Sequence, residues 1–239
     1  MTAAADNHGT SETGPLGAVE WVFLGFLLVI WPGISWLWFP SGEAALVALS
    51  ARSRISVYLQ SIAITASVFL LLAIILQFQW HKFMELGYRH FTLANAAFGF
   101  LLAAVVAVVL WVSAAIMPSL RPGPGDFVRL LFPRTSGERL LWLGLSLTAA
   151  IGEETLFRGF LLTRCRQVCG HWVPAVVVSS CGFGLAHLYQ GVAGVLLTGL
   201  CGILFSLMFI KRRSLWPCFV GHFLQDASAF FMPIFPFGT

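Results

Sequence analysis

Charge is the scarce ingredient of this sequence. Only 10% of its 239 residues are Asp, Glu, Lys or Arg, where a soluble domain carries about 25%, and 58% are hydrophobic. That balance excludes a water-soluble globular protein. The net charge of +4 is small, and the Lys and Arg residues lie mostly between apolar runs, where positive-inside bias and lipid headgroups account for them. Nothing in that pattern argues for a nucleic-acid partner. Segments of about ten residues that alternate apolar and polar are missing, which excludes a transmembrane barrel. The five cysteines, at positions 165, 169, 181, 201 and 218, follow no disulfide or zinc-ribbon pattern. No HExxH spacing occurs, and residues 1–15 lack the basic start of a signal peptide.

What is present is a series of apolar runs, each near the roughly 20 residues that cross a bilayer as a helix. They predict an all-α polytopic membrane bundle of about seven or eight transmembrane helices. Residues 1–15 read as a disordered tail. The first span, about Leu16–Phe39, carries Trp31, Trp36 and Trp38 as an interfacial belt and Glu20 near its start, facing headgroups. An interfacial stretch, Ser41–Arg54, leads to the second span at about Ile55–Trp80. The third, about Leu93–Met117, has no charge. Between Pro118 and Glu138, prolines 118, 122, 124 and 133 forbid a continuous helix. Within that loop Asp126–Phe132 is expected as a surface helix beside the substrate entrance. Four more spans follow at about Glu138–Arg166, Trp172–Tyr189, Val192–Ile210 and Leu215–Phe235, the middle two forming a tight hairpin. Residues 16–137 therefore read as scaffold and linker, and 138–239 as the functional core.

Ionisable groups at bilayer depth cost on the order of 3 kcal/mol each and usually face a bundle interior or a water-filled cavity. Here they fall on three of the C-terminal spans. Ile151–Arg164, IGEETLFRGFLLTR, holds Glu153, Glu154 and Arg158; FGLAH ends in His187; HFLQD runs from His222 to Asp226. Residues four apart share a helical face, so Glu154 can pair with Arg158, His222 with Asp226, and Phe183 can wall the site beside His187. Glu153 points about a third of a turn away and is left without that partner. Gly182, Gly184, Ala186 and Gly221 allow close helix approach around these positions. A glutamate in a dry site beside two histidines suits a general base, and His222 supported by Asp226 suits donation to an oxyanion.

In order and spacing, EETLFR, FGLAH and HFLQD resemble the EExxxR, FxxxH and HxxxN/D motifs of the CAAX-processing and bacteriocin-processing intramembrane proteases, the CPBP or Abi family. The resemblance covers about residues 138–230. It implies an intramembrane endopeptidase acting on a membrane-anchored or lipidated protein or peptide, in the lipid bilayer of, by expectation, a bacterial inner membrane. The implied substrates are CAAX-type tails, leader peptides or C-terminal sorting segments. Glu153 would activate water, His187 would help hold it, and His222 with Asp226 would stabilise the tetrahedral intermediate. Glu154, Arg158 and Phe183 would be structural at the site. Asp226 stands where the eukaryotic prenyl-protein proteases of this family have Asn, which favours orienting His222 over donating as a neutral amide. A metal-free reaction is favoured, with zinc on Glu153, His187 and His222 as the alternative. Two other classes remain open on sequence: a proton-coupled transporter using the same cluster as a relay, and a non-proteolytic membrane scaffold or immunity protein.

Overall fold

The computed structural model describes residues 16–38, 53–116 and 130–230, and every regular element among them is helical. The expected tail 1–15, nearly all of the interfacial stretch 41–54, and residues 126–129 of the loop helix lie outside the described residues. The first span begins as α1 (Ala18–Gly25), passes through a π turn at Phe26–Ile30, and continues as α2 (Trp31–Trp38). It is followed by α3 (Arg54–Ile75), the short α4 (Trp80–Glu85) and α5 (Leu93–Ile116). The C-terminal half comprises α6 (Ser136–Glu154), a π turn at Thr155–Leu161, α7 (Leu162–Cys169), α8 (Trp172–Leu185), α9 (Gly191–Arg212) and α10 (Trp216–Ala227).

Among the described residues five helical stretches are long and apolar enough to cross a membrane, and the protein is an integral membrane protein. The 34-residue run Ser136–Cys169 is the central one: half of its most apolar window is buried, against 17–28% in the other four. Its start is a capping box, with the Thr135 hydroxyl accepting from Glu138 N at 3.2 Å and the Glu138 carboxylate accepting from Thr135 N at 3.0 Å. Outer faces carry large exposed apolar side chains, among them Leu93, Phe100 and Trp111 on α5. In water such a surface would aggregate; against lipid it needs no cover.

α8 stops short of the length expected from sequence, with 14 residues, about 21 Å at 1.5 Å per residue, less than the roughly 30 Å hydrocarbon core. α10 has 12 residues and passes into a 3-10 turn at Ser228–Phe230; the rest of the span expected to Phe235 lies outside the described residues. The run 172–189 breaks after Leu185 because His187 leaves helical backbone and Gly191 adopts φ 74°. Where α8 and α10 end, the longer α3, α6 and α9 continue as walls, and a cavity of about 410 Å³ opens between them.

Close backbone contact fixes the α8–α9 hairpin. A Cβ at Gly184 would lie 2.6 Å from the Val195 carbonyl oxygen, and backbone cannot swing aside as a side chain can. Gly184→Ala is expected to cost about 1–3 kcal/mol, read as a lowered melting temperature; an unchanged melt would mean that the hairpin is looser than this. The connection before α5 is fastened to the central helix as well. Thr155 donates its hydroxyl to Ile151 O at 2.6 Å, so Tyr88, 2.7 Å away, donates to Thr155. Burial pushes the Tyr88 phenol up to about 12.

Glu20 stands at the N-terminus of α1, where its carboxylate accepts from Gly17 N at 3.0 Å. It pairs with Arg164 at 3.0 Å and ties α1 to α7.

Candidate active site

The EETLFR stretch lies at a change of helix type. Glu153 and Glu154 are the last residues of α6, and the π turn that follows, with all seven of its residues buried, holds Arg158. Such wider turns are frequent at functional sites because they shift which way the next side chains point. The two carboxylates diverge. Glu154 is fully buried, and its Oε1 accepts from Arg158 Nη1 at 2.7 Å and lies 2.8 Å from His222 Nδ1. Glu153 lines the cavity, with its Oε2 3.9 Å from His187 Nε2. That oxygen is buried and has no hydrogen bond among the described residues.

His187 is aimed by the end of α8. The last carbonyls of a helix have no partner within it, and His187 Nδ1 lies 2.8 Å from Phe183 O. A carbonyl only accepts, so Nδ1 carries the hydrogen, and in the neutral ring Nε2 is left as an acceptor toward Glu153. The bond is made within its own helix, not to a neighbouring one. Phe183 also packs its ring 4.8 Å from the imidazole, centroid to centroid.

His222 is held from both sides. Its Nδ1 donates to the Glu154 carboxylate, and its Nε2 stands 3.4 Å from Asp226 Oδ2. The shorter contact is therefore with Glu154, a residue 68 positions away in sequence, so that Arg158, Glu154 and His222 form one chain of charge-assisted bonds. Asp226 is itself anchored, since Trp142 Nε1 donates to its backbone carbonyl at 2.8 Å. The Arg158 guanidinium, 1% exposed, stacks over Phe183 at 4.2 Å and Phe205 at 5.1 Å. A buried cation is tolerated there because a carboxylate pairs with it and two ring faces attract it.

Glu153, His187, His222 and Asp226 all line the one cavity. Leu110, Leu131, Phe132, Trp142 and Leu145 give its wall an apolar side. Leu131 and Phe132 come from the end of the loop expected to border the entrance. Tyr58 donates to the Leu131 carbonyl, and Arg54 Nε to that of Leu130 at 2.8 Å, which fixes this edge to α3. Among the described residues no three His, Cys, Asp or Glu side chains group as a metal site. Both Nδ1 atoms are engaged, which leaves the Nε2 atoms as the candidate ligands, but Glu153, His187 and His222 do not group as a zinc set among the described residues. No step below is routed through zinc.

Residues 135–228 match the family model described as Rce1-like, type II CAAX prenyl endopeptidase Rce1-like. The chain carries an Rce1-like domain. Comparison with curated proteins and with solved structures gives no match. The match covers all three motif-bearing segments and places the domain among CAAX-protease-type peptidases of the membrane.

Several residues around the cavity were not singled out by motif. Phe205 stacks on Arg158 and lies 5.7 Å from the His222 ring. Cys201, Phe205 and Phe209 recur every fourth residue on α9 and are all buried, a stripe that periodicity alone can find. Trp142 and Tyr58, which meet edge to face at 5.5 Å, carry no such signal. The N-terminal spans, expected as pure scaffold, supply Ser61, Thr65 and Leu110 to the cavity wall.

Proposed function

We propose that the protein is an intramembrane endopeptidase of the bacterial inner membrane that hydrolyses a peptide bond near the membrane-anchored or lipidated end of a protein or peptide. The observation that carries this reading is the pair Glu153 Oε2 and His187 Nε2, two acceptors 3.9 Å apart on the cavity wall. A separation beyond direct hydrogen bonding suits a bridging water. A water between two acceptors donates both hydrogens and turns its lone pair outward, toward a substrate carbonyl.

The reaction then follows from the charges present. The water oxygen bonds to the carbonyl carbon and Glu153 takes a proton, acting as general base. The oxyanion accepts from His222 Nε2. Since Nδ1 already donates to Glu154, donation from both nitrogens makes the ring an imidazolium, whose charge Glu154 and Asp226 balance. Collapse of the tetrahedral intermediate breaks the C–N bond, and the proton on Glu153 passes to the leaving amine. Glu154 positions His222, Arg158 neutralises Glu154, and Phe183 keeps water from the ion pair. Residues 138–239 form the catalytic core of this reading, with the spans before it completing the cavity wall.

The test is cleavage of a panel of prenylated and membrane-anchored peptides by purified protein in detergent, with and without chelator. Cleavage that chelator leaves untouched is expected. Activity lost to chelator and restored by zinc would replace the water-activating role of Glu153 with a metal-bound water. No cleavage of any peptide, together with proton flux in liposomes, would favour a transporter.

A further inference from the structure

The end of the bundle remote from the cavity carries a second arrangement that hydrolysis does not use. Arg166, at the end of the central helix, and Arg213, directly after α9, both lie over the ring of Trp172, the first residue of α8. Their guanidinium carbons are 5.4 and 4.6 Å from its centroid. Arg166 is twelve residues beyond Glu154 along one helical run, about 18 Å.

Two features set this pair apart from nearby Arg164. Neither makes an ion pair among the described residues, whereas Arg164 is neutralised by Glu20. The Arg166 Nε is, like that of Arg164, buried without a hydrogen bond among the described residues. Arg213 adopts left-handed backbone, φ 50° and ψ 34°, at the C-cap of α9, a position where glycine would be free of the Cβ clash. The chain thus holds an arginine in strained backbone beside a second uncompensated arginine. Lys211 and Arg212, stacked on Phe98 at 5.6 and 4.4 Å, add charge of the same sign.

Two guanidinium groups on one indole repel each other unless an anion lies between or beside them. Trp172 follows directly on the end of the membrane-length run Ser136–Cys169, and a tryptophan at such an end sits at headgroup depth, where the anions are lipid phosphates. We infer that Arg166 and Arg213, converging on Trp172, bind the phosphate of an anionic phospholipid headgroup. The bidentate fork of arginine matches phosphate oxygens, and both guanidinium carbons lie within 5.4 Å of the one indole centroid.

The test is native mass spectrometry of the full chain in detergent with equal amounts of phosphatidylglycerol and phosphatidylcholine. The wild type should retain phosphatidylglycerol preferentially, and Arg166→Gln and Arg213→Gly should each reduce the preference about fivefold. Arg213→Gly suits the left-handed backbone, so its melting temperature should not fall, which separates lost binding from lost fold. Equal retention of both lipids by the wild type would overturn the inference, as would a preference unchanged in the double variant. Displacement of the lipid by inorganic phosphate alone would mark a soluble-anion site and overturn the lipid assignment.

Discussion

Glu153→Gln is expected to lower peptide turnover by about 10²- to 10⁴-fold while leaving the protein folded and as stable as the wild type, or more so. Glutamine keeps the shape of the side chain and cannot take a proton from water. The stability half of the prediction follows from the partners. Glu153 has no direct hydrogen bond to its Oε2, and its contact with His187 is 3.9 Å. A carboxylate whose buried oxygen has no close partner is costly, so neutralising it removes a penalty and breaks no direct bond to that oxygen. Gain of stability with loss of function is the mark of a strained functional site. The measurements are initial rates on a cleaved peptide and a melting curve in the same detergent. Turnover within tenfold of wild type would sink the assignment of Glu153 as the base, and a collapsed melt would mean that the side chain is structural instead.

What the sequence could disclose follows from the range of its rules. Helical spacing brings together residues of one helix, and the pairs within one helix are present: Glu154 with Arg158 at 2.7 Å, His187 with Phe183 through its carbonyl, His222 with Asp226 at 3.4 Å. Spacing is silent on contacts between helices, so the bond from His222 to Glu154 and the stacking of Arg158 on Phe205 were out of reach. The all-helical membrane fold was legible from hydropathy, which needs only length and composition. Helix ends were less so. The apolar run of α8 continues past its last helical residue, and what stops the helix is a local backbone change at His187 and Gly191. That shortfall matters, because the cavity exists where that helix ends. The π turn at Thr155–Leu161 leaves no mark on a 3.6-residue period, because one wider turn shifts the register without changing which residues are apolar.

Breaking the pair beneath the site should have the largest effect on stability. Glu154→Gln strands the Arg158 guanidinium, 1% exposed, without its carboxylate, and loss of one partner of a buried pair costs about 3–5 kcal/mol. For a membrane protein of this size the expected outcome is poor yield and a strongly lowered melting temperature. Arg158→Met alone should cost a similar amount, since Glu154 is equally buried. The double variant Glu154→Gln/Arg158→Met removes both charges, keeps the volume, and leaves methionine against the Phe183 and Phe205 rings, a favourable contact for its sulfur. It should recover most of the lost stability, as replaced buried ion pairs commonly do. Activity is where the two roles of Glu154 part. If the pair were only a structural brace, the refolded double variant would cleave peptide at close to the wild-type rate. If Glu154 positions and charges His222 through the 2.8 Å bond to Nδ1, turnover should stay 10- to 100-fold low, chiefly in kcat, because the oxyanion forms only after substrate is bound. Stability restored together with full activity would remove Glu154 from the chain of bonds that reaches the substrate.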